Sequence, residues 1–393
     1  MTTAATQTPA RPAGSRGSLL PPWFGRFAAI ALAILAILLP LFFDPLSGFI
    51  DDCVIALAYV VMALGLNVVV GFAGLLDLGY VAFFAIGAFT VGWFSSSFYA
   101  DANIHILVSG QAAKLPGIHI NFLLVLIIAA ALCAVAGILI GLPTLRLRGD
   151  YIAIVTLAFG EIIHVFAVNG DAIKVFGNGY PLTNGRQGIS PVDQVKIPFI
   201  TQFNQLNLRP WYWLILGIVF FVLFIVIRLR DSRLGRAWVA IREDEVAAAS
   251  MGVPLVKTKL FAYASGAAIG GMSGAFLAAY LNTVNADQFA FSFSIFVLAM
   301  VILGGMGSVW GVVLGAVLLS FINNRLIPDV LNGVPGKLHL DFQLSDLGFG
   351  IFGFLLVFVM IMRPEGLLPE RRHQLELHDD VDVEDVLWEE EHR

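Results

Sequence analysis

Charge is what this sequence has least of: Asp, Glu, Lys and Arg make up 13% of 393 residues, against 58% hydrophobic ones and a mean hydropathy of +0.85. A soluble domain ordinarily carries about 25% charged residues, so a chain of this length with half that supply reads as a polytopic membrane protein. Cysteine is nearly absent as well. Cys53 and Cys133 sit in apolar runs, far from each other and from any His at ligand spacing, which excludes a disulfide framework and a metal site. No G-x-x-x-x-G-K-[ST] phosphate loop occurs, so the chain has no nucleotide-hydrolysing loop of its own. No nucleophile–base pair or His/Asp/Glu cluster converges in the apolar runs, which argues against a membrane enzyme. Neither a cofactor nor a nucleic-acid partner is expected.

The charge that is present is unevenly placed. The formal net charge is −5, but residues 373–393 hold nine acids and one arginine, leaving residues 1–372 at +3. With about 20 apolar residues per crossing, ten segments qualify as spans: 24–43, 53–71, 78–98, 119–141, 150–168, 211–229, 260–281, 291–305, 308–322 and 346–362. Lys and Arg set the orientation. Cytoplasmic termini put sixteen basic residues inside and seven outside. The sequence thus divides into a disordered leader over 1–23, a membrane domain over 24–369 and an acidic tail over 370–393. Within the membrane domain, 169–210 forms an external loop and 230–259 a cytoplasmic one.

The same bias decides how residues 291–322 are read. One overlong helix would carry Arg363, Arg371, Arg372 and the acidic tail across the membrane, whereas two short segments broken at Gly304-Gly305-Met306-Gly307-Ser308 keep them inside. A second break occurs at GFAGLLDLG, residues 71–79. Lipid cannot satisfy the backbone groups of such breaks, so they must be buried in protein or line a cavity, and paired breaks point to a transport pathway. Pathway candidates are therefore Asn67, Gly71, Gly74, Asp77, Gly79, Glu161, Gly304, Gly305 and Gly307. Asp77 and Glu161 are the carboxylates nearest membrane depth, where a charge costs ~2.5–3.5 kcal/mol on insertion scales. Glu161 and His164, three apart on one helix face, are placed to pair. Asp77 has a cheaper alternative at the cytoplasmic end of its break. Glycines 266, 270 and 274, and 307, 311 and 315, strip one face of their helices, for close packing within the subunit or for a pathway lining.

The cytoplasmic loop has the most consistent local signals. Gly235–Glu243 predicts a short helix with Trp238 and Ile241 on one side. Asp244 is a plausible N-cap, Glu245 suits the positive helix end, Ala247-Ala248-Ala249 are strong helix formers, and Gly252 with Pro254 stops the second helix. Two capped helices with Trp238, Val246 and Met251 as apolar knobs form a docking element rather than a solvated connector.

This loop, with its Gly-Arg-Ala and Arg-Glu-Asp-Glu runs, resembles the coupling loop of ABC importer permeases. Four further stretches are similar to the LivM type of branched-chain amino acid permease: GLNVVVGFAGLLDLGYVAFFAIGAF at 65–89, LPTLRLRGDYIAIVTLAFGEII at 142–163, VLAMVILGGMGSVWGVVLGAVLL at 297–319 and MRPEGLLP at 362–369. The resemblance implies an all-α polytopic fold in a bacterial inner membrane. It implies a homologous second permease, two cytoplasmic ATPase subunits that bind the ATP, and an external substrate-binding protein. It assigns Arg233, Gly235, Arg236, Trp238, Arg242, Glu243, Asp244, Glu245 and Gly252 to ATPase coupling, and leucine, isoleucine or valine to transport. One departure stands out. The family's Gly-Gly-Pro-Asn-Gly-Ile-Ser turn reads Thr183-Asn184-Gly185-Arg186-Gln187-Gly188-Ile189-Ser190 here, which adds a cation to the face that meets the binding protein. A urea or short-amide permease is the nearest rival. An ion-coupled secondary transporter accounts for Glu161, His164 and the breaks but has no use for the loop at 233–252.

Overall fold

The computed structural model describes residues 31, 33–108, 114–144, 151–175, 179–196, 203, 207–331, 350, 353–354, 357–358, 361–362 and 366–368. The leader over 1–23 and the tail over 370–393 lie outside them, as does most of the predicted span at 346–362. Residues up to Asp44 form one unit and those from Pro45 another. In the first, the described residues from 31 are helical and end in a 3-10 turn, Leu39–Leu41.

The second unit is an all-α membrane domain. Six of its described helices are long and apolar enough to cross a membrane, and two apolar ones, Val81–Phe94 and Phe291–Gly304, are shorter. In chain order the helices are α1 (Gly48–Asn67), continued by a π-turn over Val68–Phe72, α2 (Val81–Phe94), α3 (Phe122–Thr144), α4 (Tyr151–Asn169) and α5 (Arg209–Asp231). They continue with α6 (Arg233–Glu243), α7 (Glu245–Ser250), α8 (Leu255–Leu281), α9 (Phe291–Gly304) and α10 (Val309–Phe321), the last running into a second π-segment, Ile322–Leu331. These boundaries match eight of the ten predicted spans to within a few residues.

Buried α8 packs against α1, α2 and α3. Its glycines let backbones meet: a Cβ at Gly274 would overlap the Phe84 carbonyl of α2, and one at Gly266 would stand 2.8 Å from the Gly65 carbonyl of α1. Tyr80 Oη donates to the Gly266 carbonyl at 2.6 Å and Ser273 Oγ to the Ala58 carbonyl at 2.8 Å. Such polar cross-ties suit a bundle whose lipid-like interior provides little hydrophobic drive between helices. The stripe on α8 is thus spent on packing inside the chain. So is that on α10, where Gly311 backs onto Gly304 and Gly315 onto the Met300 carbonyl.

Those contacts make α9 and α10 an antiparallel hairpin. The chain reverses at 305–308, where Gly305 and Gly307 take φ of +111° and +87° and Ser308 caps α10 by accepting from Gly311 N at 3.1 Å. The end of the hairpin returns to the start of α1 through an Arg325–Asp52 ion pair at 3.2 Å. Residues 291–322 are therefore two helices and not one long helix.

The opposite end from the 305–308 turn carries short strands, two of which, at 95–96 and 118–120, fall at the ends of the predicted spans 78–98 and 119–141. β1 (Ser95–Ser96) pairs antiparallel with β3 (Ile118–Ile120), which pairs parallel with β2 (Ile104–Ile106), and β4 (Lys174–Val175) pairs antiparallel with β5 (Tyr180–Pro181). Isolated bridges Ser96–Val192 and Ile189–Val284 stitch the 179–196 segment to this end. A buried His119 Nδ1 holds Asp193 Oδ2 at 2.7 Å and adds a side-chain tie.

Candidate functional site

Both glycine breaks lie at one end of the bundle, and they touch. The π-turn after α1 ends at Phe72, and the chain runs without helix to α2. Asn67, buried at the end of α1, turns its Oδ1 to accept from Gly307 N of the second break at 2.9 Å. Gly71 lies beneath that bond, and a Cβ there would overlap Asn67 Oδ1 and come within 2.6 Å of Gly307 N. Residues 366–368 close the second break from outside, with Leu367 N donating to the Leu303 carbonyl at 2.9 Å and Leu368 N to the Gly304 carbonyl at 3.1 Å. These otherwise unused helix-end carbonyls explain why the MRPEGLLP stretch matters to the fold.

The first break also meets α4. A Cβ on Gly79 would overlap the Thr156 carbonyl, and Gly160 faces Gly79 across the crossing, its hypothetical Cβ only 3.0 Å from Gly79 Cα. Thr156 Oγ1 accepts from Leu78 N at 3.1 Å. Asp77 is 2% exposed. Its Oδ1 accepts from Gly79 N at 2.9 Å, and its Oδ2 has no hydrogen-bond partner among the described residues. Asp77 lies at the end of the bundle that carries both breaks, but its carboxylate is enclosed by the break and by α4 rather than open to solvent.

Glu161 does not join this cluster. Its side chain is exposed on the face of α4 that also presents Ile154, Ile162 and Val165. No hydrogen bond or ion pair links it to His164, whose Nδ1 is buried without a partner among the described residues. The predicted pairing therefore does not form. Tyr80, Thr156 and Ser294, whose Oγ accepts from Val81 N at 3.3 Å, belong to the joint and were not singled out from the sequence. A neutral hydroxyl inside an apolar run carries no periodic signal.

Beside the breaks stands the helix pair α6–α7, close to its predicted form. α6 begins at Arg233, two residues earlier than expected, because Ser232 is the N-cap and accepts from Gly235 N at 3.3 Å. Asp244 Oδ1 accepts from Val246 N at 2.8 Å and Ala247 N at 3.0 Å, capping α7 as expected. Gly252, at φ +84°, ends α7 with its N bonded to the Ala249 carbonyl at 3.0 Å.

The nine coupling candidates divide into two faces. Arg233, Arg236, Glu243, Asp244, Glu245 and Gly252 are exposed, beside Val246 at 75% and Met251 at 86% exposure. Gly235, Trp238 and half-buried Arg242 face inward. Trp238, expected as a protruding knob, is fully buried, and its Nε1 donates to the Thr258 carbonyl of α8 at 2.8 Å. The amphipathic period of α6 turns the indole to the bundle because burying it satisfies both its ring and its N–H. Lys259 on α8, 5% exposed, pairs with Glu245 Oε1 at 2.8 Å. Trp238→Ala is expected to lower the stability of the detergent-solubilised protein by about 3–5 kcal/mol, read as a fall in its unfolding midpoint.

At the strand end, Arg186 and Gln187 line a shallow cavity with Val168, Asn169, Asp171 and Asn184. The departure from the family turn is thus surface-facing. No group of three or more potential metal ligands occurs among the described residues.

Comparison with known proteins agrees with this arrangement. Residues 51–360 match the family model described as branched-chain amino acid transport system / permease component. The chain is 38% identical over 359 residues to the high-affinity branched-chain amino acid transport system permease protein LivM of Escherichia coli K12, covering 88% of this chain and 76% of that one. It is 28% identical over 333 residues to the probable LivM of Methanocaldococcus jannaschii, covering 80% and 91% respectively. A more distant similarity, 25% over 226 residues, reaches the ribose import permease RbsC of Escherichia coli K12, with 56% and 66% covered. No solved structure matches. Matched over most of its length by that family model, the chain belongs to the branched-chain amino acid transport permease family.

Proposed function

We propose that this protein is the membrane permease subunit of an ATP-driven ABC importer for leucine, isoleucine and valine in a bacterial inner membrane. The observation that carries the reading is the capped pair α6–α7. It offers a soluble partner an exposed rim of Glu243, Asp244 and Glu245 around Val246 and Met251, while its other face is fastened to the bundle. Apolar residues at that exposure on a charged element mark an interaction surface. The partner is a cytoplasmic ATPase subunit, one on this permease and one on a homologous second permease, and an external binding protein delivers the amino acid to the strand end. The permease holds neither ATP nor any other cofactor.

In this reading the ends of the bundle bearing α6–α7 and both breaks are cytoplasmic, as are the termini. The eight apolar helices, with spans at 24–43 and 346–362, make ten crossings. ATP-driven closure of the two ATPases moves α6–α7 as a rigid body and alters the packing of the spans. The breaks then close the pathway at its inner end, with Asn67, Asp77 and the glycines of both turns forming that closure.

The test is co-purification with the ATPase subunits, followed by ATPase measurements in liposomes with the binding protein and leucine, or with urea in its place. Leucine-stimulated hydrolysis with accumulation of leucine is the expected result. Stimulation by urea alone assigns the short-amide substrate instead. Uptake driven by a proton or sodium gradient without ATPase subunits overturns the proposal.

A further inference from the structure

The family resemblance assigns Arg242 to ATPase coupling. Its side chain points the other way. From the last turn of α6 its Nη1 donates to the Gly71 carbonyl at 2.7 Å, inside the first break. The reason lies in the π-turn, where Ala73 N bonds the Val68 carbonyl at 3.4 Å and Leu75 N bonds the Val69 carbonyl at 3.1 Å. The donor four residues beyond Gly71 is thus drawn to a different acceptor, and Gly71 presents its carbonyl at the negative end of a helix. A guanidinium is well suited to that position, since it adds both a charge-assisted hydrogen bond and a favourable interaction with the helix dipole. The arginine stem reaches it by crossing Gly74. That residue has φ +67°, and a Cβ on it would stand 2.8 Å from Arg242 Cγ.

What Arg242 grips is already joined to the second break. Gly71 lies directly under the Asn67–Gly307 hydrogen bond, and the 305–308 turn is in turn closed by Leu367 and Leu368. On its other flank the helix pair is fixed to α8 by Trp238 and by the Glu245–Lys259 ion pair. Besides its junction with α5, the pair α6–α7 is thus tied to the central helix and, through the Arg242 side chain, to the joint between the breaks. π-turns recur where a helix must bend or bear function, and this one contains the carbonyl that Arg242 holds.

We propose that Arg242 is a positioning residue that transmits movement of the ATPase-facing helices to the inner closure of the pathway, pulling on the Gly71 carbonyl and moving both glycine breaks as one unit. This rests on the import reading above but is separate from docking, because the side chain faces away from the exposed rim. A partner subunit meets Glu243 and Met251, while the membrane domain meets Arg242.

The experiment measures radiolabelled leucine accumulated per ATP hydrolysed in liposomes that hold the whole complex and the binding protein. Arg242→Ala is expected to lower that ratio at least tenfold while the ATPase subunits co-purify in the same proportion as with the unaltered permease. Arg242→Lys, which keeps a cationic donor on a long stem, recovers part of the ratio, and Gly74→Ala, which pushes the arginine stem aside, lowers it with Arg242 still present. Should the alanine variant fail to accumulate, Arg242→Gln stands in with the same expected loss. An unchanged ratio in the neutral variant overturns the proposal, and so does loss of the ATPase subunits, which would make Arg242 a docking contact. If the unaltered complex shows no ATP-driven leucine uptake, the import reading itself falls and the relay falls with it.

Discussion

Glu243→Lys combined with Glu245→Lys is expected to leave the protein in the membrane at its normal level and to reduce ATP-driven leucine uptake at least ~100-fold. Neither residue lies in a span, and added lysines on the cytoplasmic side agree with the distribution of basic residues that orients the chain, so insertion is unaffected. The loss follows from the exposed rim. Where this rim meets cations of the proposed ATPase partner, reversing two carboxylates replaces attraction by repulsion, and like charges across an interface cost several kcal/mol, more than the ~2.8 kcal/mol that a hundredfold change requires. The two positions are not equivalent. Both are exposed, but Glu245 is also the partner of buried Lys259, so its reversal brings a second cation against that lysine. Glu245→Gln isolates that contribution: it lowers the unfolding midpoint of the permease without reversing the rim. Glu243→Lys alone isolates docking. Normal uptake by the double variant at normal expression removes α6–α7 as the ATPase contact.

Much of this architecture was legible because the membrane imposes few solutions. Six spans follow from apolar length alone, and the split of 291–322 into a hairpin at 305–308 follows from the placement of Arg363, Arg371 and Arg372, in agreement with Gly304 and Gly311 standing back to back. Caps were legible for the same local reason: Asp244 and Gly252 act within two or three residues of their own position. The direction of side chains was not. Trp238 and Arg242 read as surface residues of a charged loop, but which face of a short helix is buried depends on α8 and on the π-turn, neither of which is adjacent in sequence. Glu161 erred in the opposite sense. A carboxylate in an apolar run reads as facing a polar interior, yet α4 turns it to the exposed face of the helix. The Asn67–Gly307 bond spans 240 residues and leaves no pattern in either run. Only the shared glycine spacing of 71–74 and 304–307 hinted that the two breaks belong together.

Gly71→Ala is expected to abolish leucine uptake and to reduce the yield of monodisperse protein, although it adds only one methyl group. A Cβ at this position overlaps Asn67 Oδ1 and approaches Gly307 N to 2.6 Å, and neither neighbour is the loose end of a flexible chain. Overpacking of this kind costs ~1–3 kcal/mol, and displacing Asn67 leaves the Gly307 N–H buried without an acceptor, at a further ~1–3 kcal/mol. The two costs can be separated. Adding Asn67→Ala to Gly71→Ala removes the overlapped oxygen and relieves the first, so folded yield recovers in part. The second remains, because no acceptor reaches Gly307, and uptake stays absent. Asn67→Ala alone gives the same transport defect at a higher yield than Gly71→Ala alone. Size-exclusion yield and initial rates of leucine uptake on the three variants distinguish these outcomes. A Gly71→Ala permease that accumulates and transports normally means that the two breaks do not move as a single closure. If the double variant regains uptake, the hydrogen bond between the breaks is dispensable and Gly71 serves only as space for Asn67.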